Sequence, residues 1–133
     1  MIPLFPFQQE AADAVFRDWA AGQQAVVVSL PTGAGKTLVV ATIAQRAYAE
    51  QPAPILVLVP SDEILRQTVE EMDMVWEGDP IGIIQQQVRQ WSCPLLVASV
   101  ATLVRHLDDL PVMGLVITEW SRRHWLMRHG LAP

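Results

Sequence analysis

Short apolar runs alternate with amphipathic stretches along the chain, and turn residues separate them. From Gln8 to Ala21, Ala11, Val15 and Trp19 recur every four residues before Gly22, which predicts a helix with a glycine stop. Ala25 to Leu30 (Ala-Val-Val-Val-Ser-Leu) is a β-branched run that predicts a strand buried on both faces. Lys36 to Glu50 is apolar on most sides, with Gln45, Arg46 and Glu50 left for solvent, and predicts a second helix. Ile55 to Val59, bracketed by Pro54 and Pro60, predicts the next strand.

Ser61 then opens a helix expected to run to about Met74. Asp62 and Glu63 sit in its positive first turn, and Ile64, Leu65, Thr68, Val69 and Met72 form its inner stripe. After the turn Glu77-Gly78-Asp79-Pro80, Ile81 to Ile84 reads as a short edge strand. Leu95 to Ser99 reads as a core strand, Ala101 to Leu107 as a short helix and Leu115 to Thr118 as a further core strand. Strand and helix in alternation predict an α/β fold, a parallel sheet covered by helices. Glu119 to Pro133 carries little pattern, so residues 1–119 are expected to form the domain and 120–133 an unpatterned tail.

The chain has 133 residues, the size of one domain, and 51% of them are hydrophobic, which excludes intrinsic disorder. No apolar run approaches the roughly 18 residues of a membrane span. The N-terminus lacks the basic start and apolar stretch of a signal peptide. Cys93 is the single cysteine, and a cytoplasmic location without disulfides is the expectation. The net charge of −5 is uneven: residues 1–119 hold six basic side chains against fourteen acids, a net −8. An acidic body argues against strong unaided binding to nucleic acid, whose affinity comes largely from phosphate neutralisation, but leaves room for a few phosphate contacts within a larger assembly. Lys36 is the only lysine.

That lysine stands in Pro31-Thr32-Gly33-Ala34-Gly35-Lys36-Thr37, between a predicted strand and a predicted helix. This is the context a phosphate-binding loop requires. Glycines at 33 and 35 let backbone N–H groups approach phosphate oxygens, and the helix N-terminus adds its partial positive charge. Lys36 supplies a point charge for β and γ phosphates, and the Thr37 hydroxyl can ligate Mg²⁺. Leu30 stands where the general pattern has its first glycine.

With this loop, three other segments resemble superfamily 2 DEAD/DEAH-box helicases, in the branch that contains type III restriction subunits. Leu4-Phe5-Pro6-Phe7-Gln8-Gln9 is similar to an adenine-reading segment, with Gln8 as the reader and Phe5 where arginine is common. Val57 to Gln67 is similar to motif Ia, with Pro60, Ser61 and Gln67 matching, and Val97 to Leu103 to motif Ib, with Ala101 in place of glutamine. The resemblance implies the N-terminal RecA-like lobe of a three-layer P-loop NTPase, with ATP and Mg²⁺ as ligands and DNA as partner. The nucleotide would be held by Gln8, Pro31, Thr32, Gly33, Ala34, Gly35, Lys36 and Thr37. Lys36 and Glu119 would be the catalytic residues, and Thr37 and Glu119 the metal ligands.

The resemblance breaks after Ile117. Where the family has an Asp-Glu-Ala-His-type sequence, this chain has Thr118-Glu119-Trp120-Ser121. Without a gap, Glu119 replaces the metal-binding aspartate and Trp120 the water-activating glutamate. Slipped by one, Glu119 is the catalytic glutamate and Thr118 replaces the aspartate. The ungapped register is preferred, because it fits the strand length. Either way one carboxylate is missing, and hydrolysis is expected to be very slow or absent. The segment that matches also stops short of a second RecA-like lobe with its arginine finger. The expectation is therefore a truncated lobe, weak on DNA alone, whose tail from Trp120 is out-of-frame translation.

Three other readings are a nucleotide-dependent binding module that docks on a second lobe carried by another chain, a gene remnant without activity, and a different phosphate-loop enzyme such as a small kinase, against which the motif Ia and Phe7-Gln8 segments argue. Among smaller signals, His106 beside Asp108 and Asp109 reads as a solvated face, His124 and His129 as badly spaced for a metal, and Arg122, Arg123 and Arg128 as a solvated tail. Cys93 reads as an inert buried thiol, and Trp76 and Trp91 as partly buried near the edge strand.

Overall fold

A computed structural model describes residues 4–29, 35–77, 80–121 and 124–129. The elements follow in the order α1 (Pro6–Ala20), β1 (Ala25–Ser29), α2 (Lys36–Glu50), β2 (Ile55–Val59), α3 (Asp62–Asp73), β3 (Gly82–Ile84), β4 (Leu95–Ser99), α4 (Val100–Leu103), a 3₁₀ turn (Leu107–Asp109), β5 (Leu115–Ser121) and β6 (His124–His129). The helix predicted from Ala101 to Leu107 is thus divided into a single α turn and a separate 3₁₀ turn.

Six strands form one sheet in the order β1-β6-β5-β2-β4-β3. β2 is parallel to both β4 and β5, and β3 is parallel to β4. β6 alone runs the other way, paired antiparallel with β5 on one side and β1 on the other. Two reversals restore direction, so β1 points the same way as β5, β2, β4 and β3. The sheet is mixed but mostly parallel.

β6 lies in the stretch that the sequence pattern left without an element. It is a central strand: Trp125 and Met127 are fully buried, while Leu126 between them and Arg128 after them are exposed. This is the period-2 alternation of a strand with one covered face. The exposed apolar Leu126 interrupts the alternation of residue types, so Trp-Leu-Met gives no clear signal in sequence.

Burial divides the strands. β4 is buried at all five positions and β2 at four, as suits strands covered on both faces. β1 alternates exposed and buried, contrary to the two-sided burial predicted for it: Val26 and Val28 are buried, and Val27 is 49% exposed. The reason is position. α1, α2 and α3 cover one face of the whole sheet, burying Val15, Val39, Ile43, Leu65 and Met72 against Val26, Val57, Ile117 and Met127. The second face has a smaller cluster of Leu56, Ile84, Leu96, Ala98, Leu103 and Met113, which covers β2, β4 and β3 but not β1 or β6.

Helix starts follow their capping chemistry. The Ser61 hydroxyl accepts from the Ile64 N–H at 3.3 Å, with Asp62 and Glu63 in the first turn of α3. α2 starts from Gly35 in the left-handed region, φ +69°. α1 and α2 are clasped by Arg46, which bonds Asp13 at 3.0 Å and lies 4.0 Å over the Phe16 ring. The outer edge of β3 is closed by its own chain, through hydrogen bonds between Ile83 and Gln90 and a bridge from Ile84 to Arg89.

Candidate functional site

Because β1, β5, β2 and β4 share a direction, their carboxyl ends meet along one edge of the sheet. In open α/β sheets this is the edge where ligands bind. α2 begins at the same edge, immediately after the loop that follows β1. Pro31, Thr32, Gly33 and Ala34 of the expected phosphate loop lie outside the described residues. Gly35, Lys36 and Thr37 lie within them.

Lys36 is the first residue of α2 and Thr37 the second, so both stand where unpaired backbone N–H groups face outward. The Lys36 Nζ is 3.5 Å from Glu119 Oε1 on β5. The two side chains are 20% and 12% exposed, a pair that is mostly withdrawn from water. Glu119 Oε2 is buried and has no hydrogen-bond partner among the described residues. Thr37 is buried, at 8% exposure. The fold therefore brings Lys36 to Glu119, with Thr37 the next residue along α2. Their donor set fits Mg²⁺ coordination of the usual kind, one carboxylate and one hydroxyl with the remaining positions left to water and phosphate. Among the described residues, no group of three or more His, Cys, Asp or Glu side chains forms a metal cage.

Gln8 joins the site from the other side. It is 4% exposed, and its Oε1 accepts from the Phe5 N–H at 2.9 Å, closing the start of α1. Its amide nitrogen lies over Gly35: a Cβ on that glycine would come within 2.6 Å of Gln8 Nε2. The side chain thus spans from the first turn of α1 to the last glycine before Lys36. Phe5 and Phe7 are exposed beside it, and their rings stack at 6.1 Å with an 8° interplanar angle.

The remaining expectations divide. Gln67 points along its own helix, its amide 3.4 Å from Glu71, while Ser61 caps α3. Ser99, at the end of β4, is buried with its hydroxyl unpartnered among the described residues, and Ala101 is exposed. His106 pairs with Asp109 at 3.6 Å, on a face open to water. Cys93 is half-buried against the smaller core cluster rather than fully enclosed. Trp76 is buried against Tyr48, and Trp91 packs on the smaller cluster. Trp125, which faces Glu119 across the sheet, was missed with the rest of β6.

The mostly parallel six-stranded sheet with helices packed on it resembles the RecA-like lobes of helicases. The chain belongs to the family of type III restriction enzyme res subunits, whose model matches residues 1–122. No curated relative matches the sequence. Among solved structures, it is similar to a nuclease-deletion mutant of the Type ISP restriction-modification enzyme LlaGI in complex with a DNA substrate mimic. The TM-score is 0.71 at 15% identity, over 88% of this chain and 15% of that one. It is also similar to the UvsW helicase from bacteriophage T4, with a TM-score of 0.66 at 20% identity, over 88% of this chain and 43% of that one. This chain therefore spans less than half the length of either protein. No described helix is long and apolar enough to cross a membrane.

Proposed function

We propose that this chain is the ATP-binding N-terminal lobe of a superfamily 2 DNA helicase, which binds ATP with Mg²⁺ and hydrolyses it very slowly or not at all. The observation that carries the reading is the meeting of Lys36, the only lysine, with Glu119 at the start of α2. Pro31 to Lys36 would cradle the phosphates, and Lys36 would turn from Glu119 to the β and γ oxygens. Thr37 and Glu119 would hold Mg²⁺, and Gln8 would meet the base. When bound, Mg²⁺ neutralises phosphate charge. Glu119 has a buried oxygen without a partner among the described residues, suited to a cation or a donor, and that supports its role.

Slow hydrolysis follows from the side chains that are present. Trp120 follows Glu119 where the family has its water-activating glutamate, and an indole cannot take a proton from water. Weak action on DNA follows from the −8 charge of residues 1–119. Phosphate contacts would come from the start of α3 at Pro60 and Ser61. A second reading, a nucleotide-dependent module that docks on a lobe carried by another chain, is favoured by the uncovered sheet face at Val27 and Leu126. The test pairs retention of labelled Mg-ATP with phosphate release, with and without DNA. The expected result is retention without release. DNA-stimulated turnover, or no retention, contradicts the proposal.

A further inference from the structure

Glu119 and Trp125 are directly opposed on β5 and β6, and Trp125 is also opposite Val28 on β1. The neighbouring opposed pair, Ile117 and Met127, is fully buried in the cluster under the helices. By the two-residue period of a strand, Glu119 and Trp125 project from that same face, toward α2. Opposed side chains on an antiparallel pair have Cβ atoms about 4.5–5.5 Å apart. Trp125 is 1% exposed, and its Nε1 has no hydrogen-bond partner among the described residues. Glu119 Oε2 is in the same condition, while Oε1 faces Lys36. A buried N–H that can only donate therefore lies across the strand from a buried oxygen that can only accept.

We propose that Trp125 is a positioning residue for Glu119, whose indole N–H takes the carboxylate when Lys36 turns away. The carboxylate has one cation within reach among the described residues, and a lysine engaged on a phosphate no longer supplies it. Mg²⁺, where bound, would take one oxygen of that carboxylate; leaving the other buried without a donor is costly, and a charge-assisted bond from an indole offsets that cost. β6 thus does more than fill the sheet between β1 and β5. It brings a neutral donor to the acid that the nucleotide site shares with its lysine. The inference deepens the nucleotide-binding reading and rests on it for the reason Lys36 moves, but the bond itself requires no nucleotide.

The test is ligand-free. Indole ¹⁵N–¹H spectra are recorded for the whole chain and for Lys36→Ala, with the Trp125 signal identified by its loss in Trp125→Phe. If that variant does not fold, through-space contacts from the indole to Val28 and Met127 identify the signal instead. In Lys36→Ala the Trp125 signal is expected to move downfield and to exchange more slowly with water. In Lys36→Ala/Glu119→Leu it is expected to return to its native position. A Trp125 signal that Lys36→Ala leaves unmoved overturns the proposal, as does a shift that persists without the Glu119 carboxylate. Neither result depends on nucleotide, so this inference and the ATP-binding reading fail separately.

Discussion

Lys36 Nζ and Glu119 Oε1 stand 3.5 Å apart and tie the start of α2 to β5 at the carboxyl edge of the sheet. In the proposed function this contact is the resting form of the site. For Lys36 to meet a phosphate, this pair must open, and its part exposure keeps the cost of opening below that of a fully buried ion pair.

Replacing Lys36 by Ala should lower stability by about 1–2 kcal/mol, because a carboxylate with little access to water loses its cation. Adding Glu119→Gln should recover much of that loss, since no charge is then left to satisfy. A double-mutant cycle in urea measures the coupling. Additive effects would mean that the two side chains do not interact in solution.

Gly35 is constrained twice, by φ +69° and by the amide of Gln8 at 2.6 Å from where its Cβ would be. Gly22 has φ +99° and nothing within 4 Å of that position. Gly22→Ala should therefore cost about 1–2 kcal/mol, the conformational penalty alone. Gly35→Ala should cost more, because the buried glutamine must also shift. Thermal melts of the two variants compare the losses directly, and equal losses would show that Gln8 yields freely.

Met127 and Leu126 are neighbours on β6 with opposite surroundings, one fully buried and the other 37% exposed. Met127→Ala should destabilise by about 2–5 kcal/mol, as a large side chain removed from a core leaves a cavity. Leu126→Ala should cost under about 1 kcal/mol. Urea midpoints give both values. Similar, small losses would mean that β6 does not pack between β1 and β5 as described.

Much of the fold was legible in local chemistry. α2, β2 and β4 begin and end where the pattern places them, because each has a sharp signal: a glycine before Lys36, prolines around Ile55–Val59, a serine ending Leu95–Ser99. The approach of Lys36 and Glu119 was readable only through family resemblance, since no spacing in sequence reports a contact between a helix start and a distant strand. β6 was not legible at all. Its hairpin with β5 places two buried residues around an exposed leucine, so residue type and burial disagree at the middle position. β1 was misjudged for a related reason: a run of valines records β propensity, not how many faces are covered.

The most direct measurement is a calorimetric titration of Mg-ATP into the purified chain beside Lys36→Ala, with circular dichroism to establish that both are folded. The account predicts a saturable heat for the native chain and its loss in the variant. No binding by a folded native chain, or equal binding by both, would contradict it.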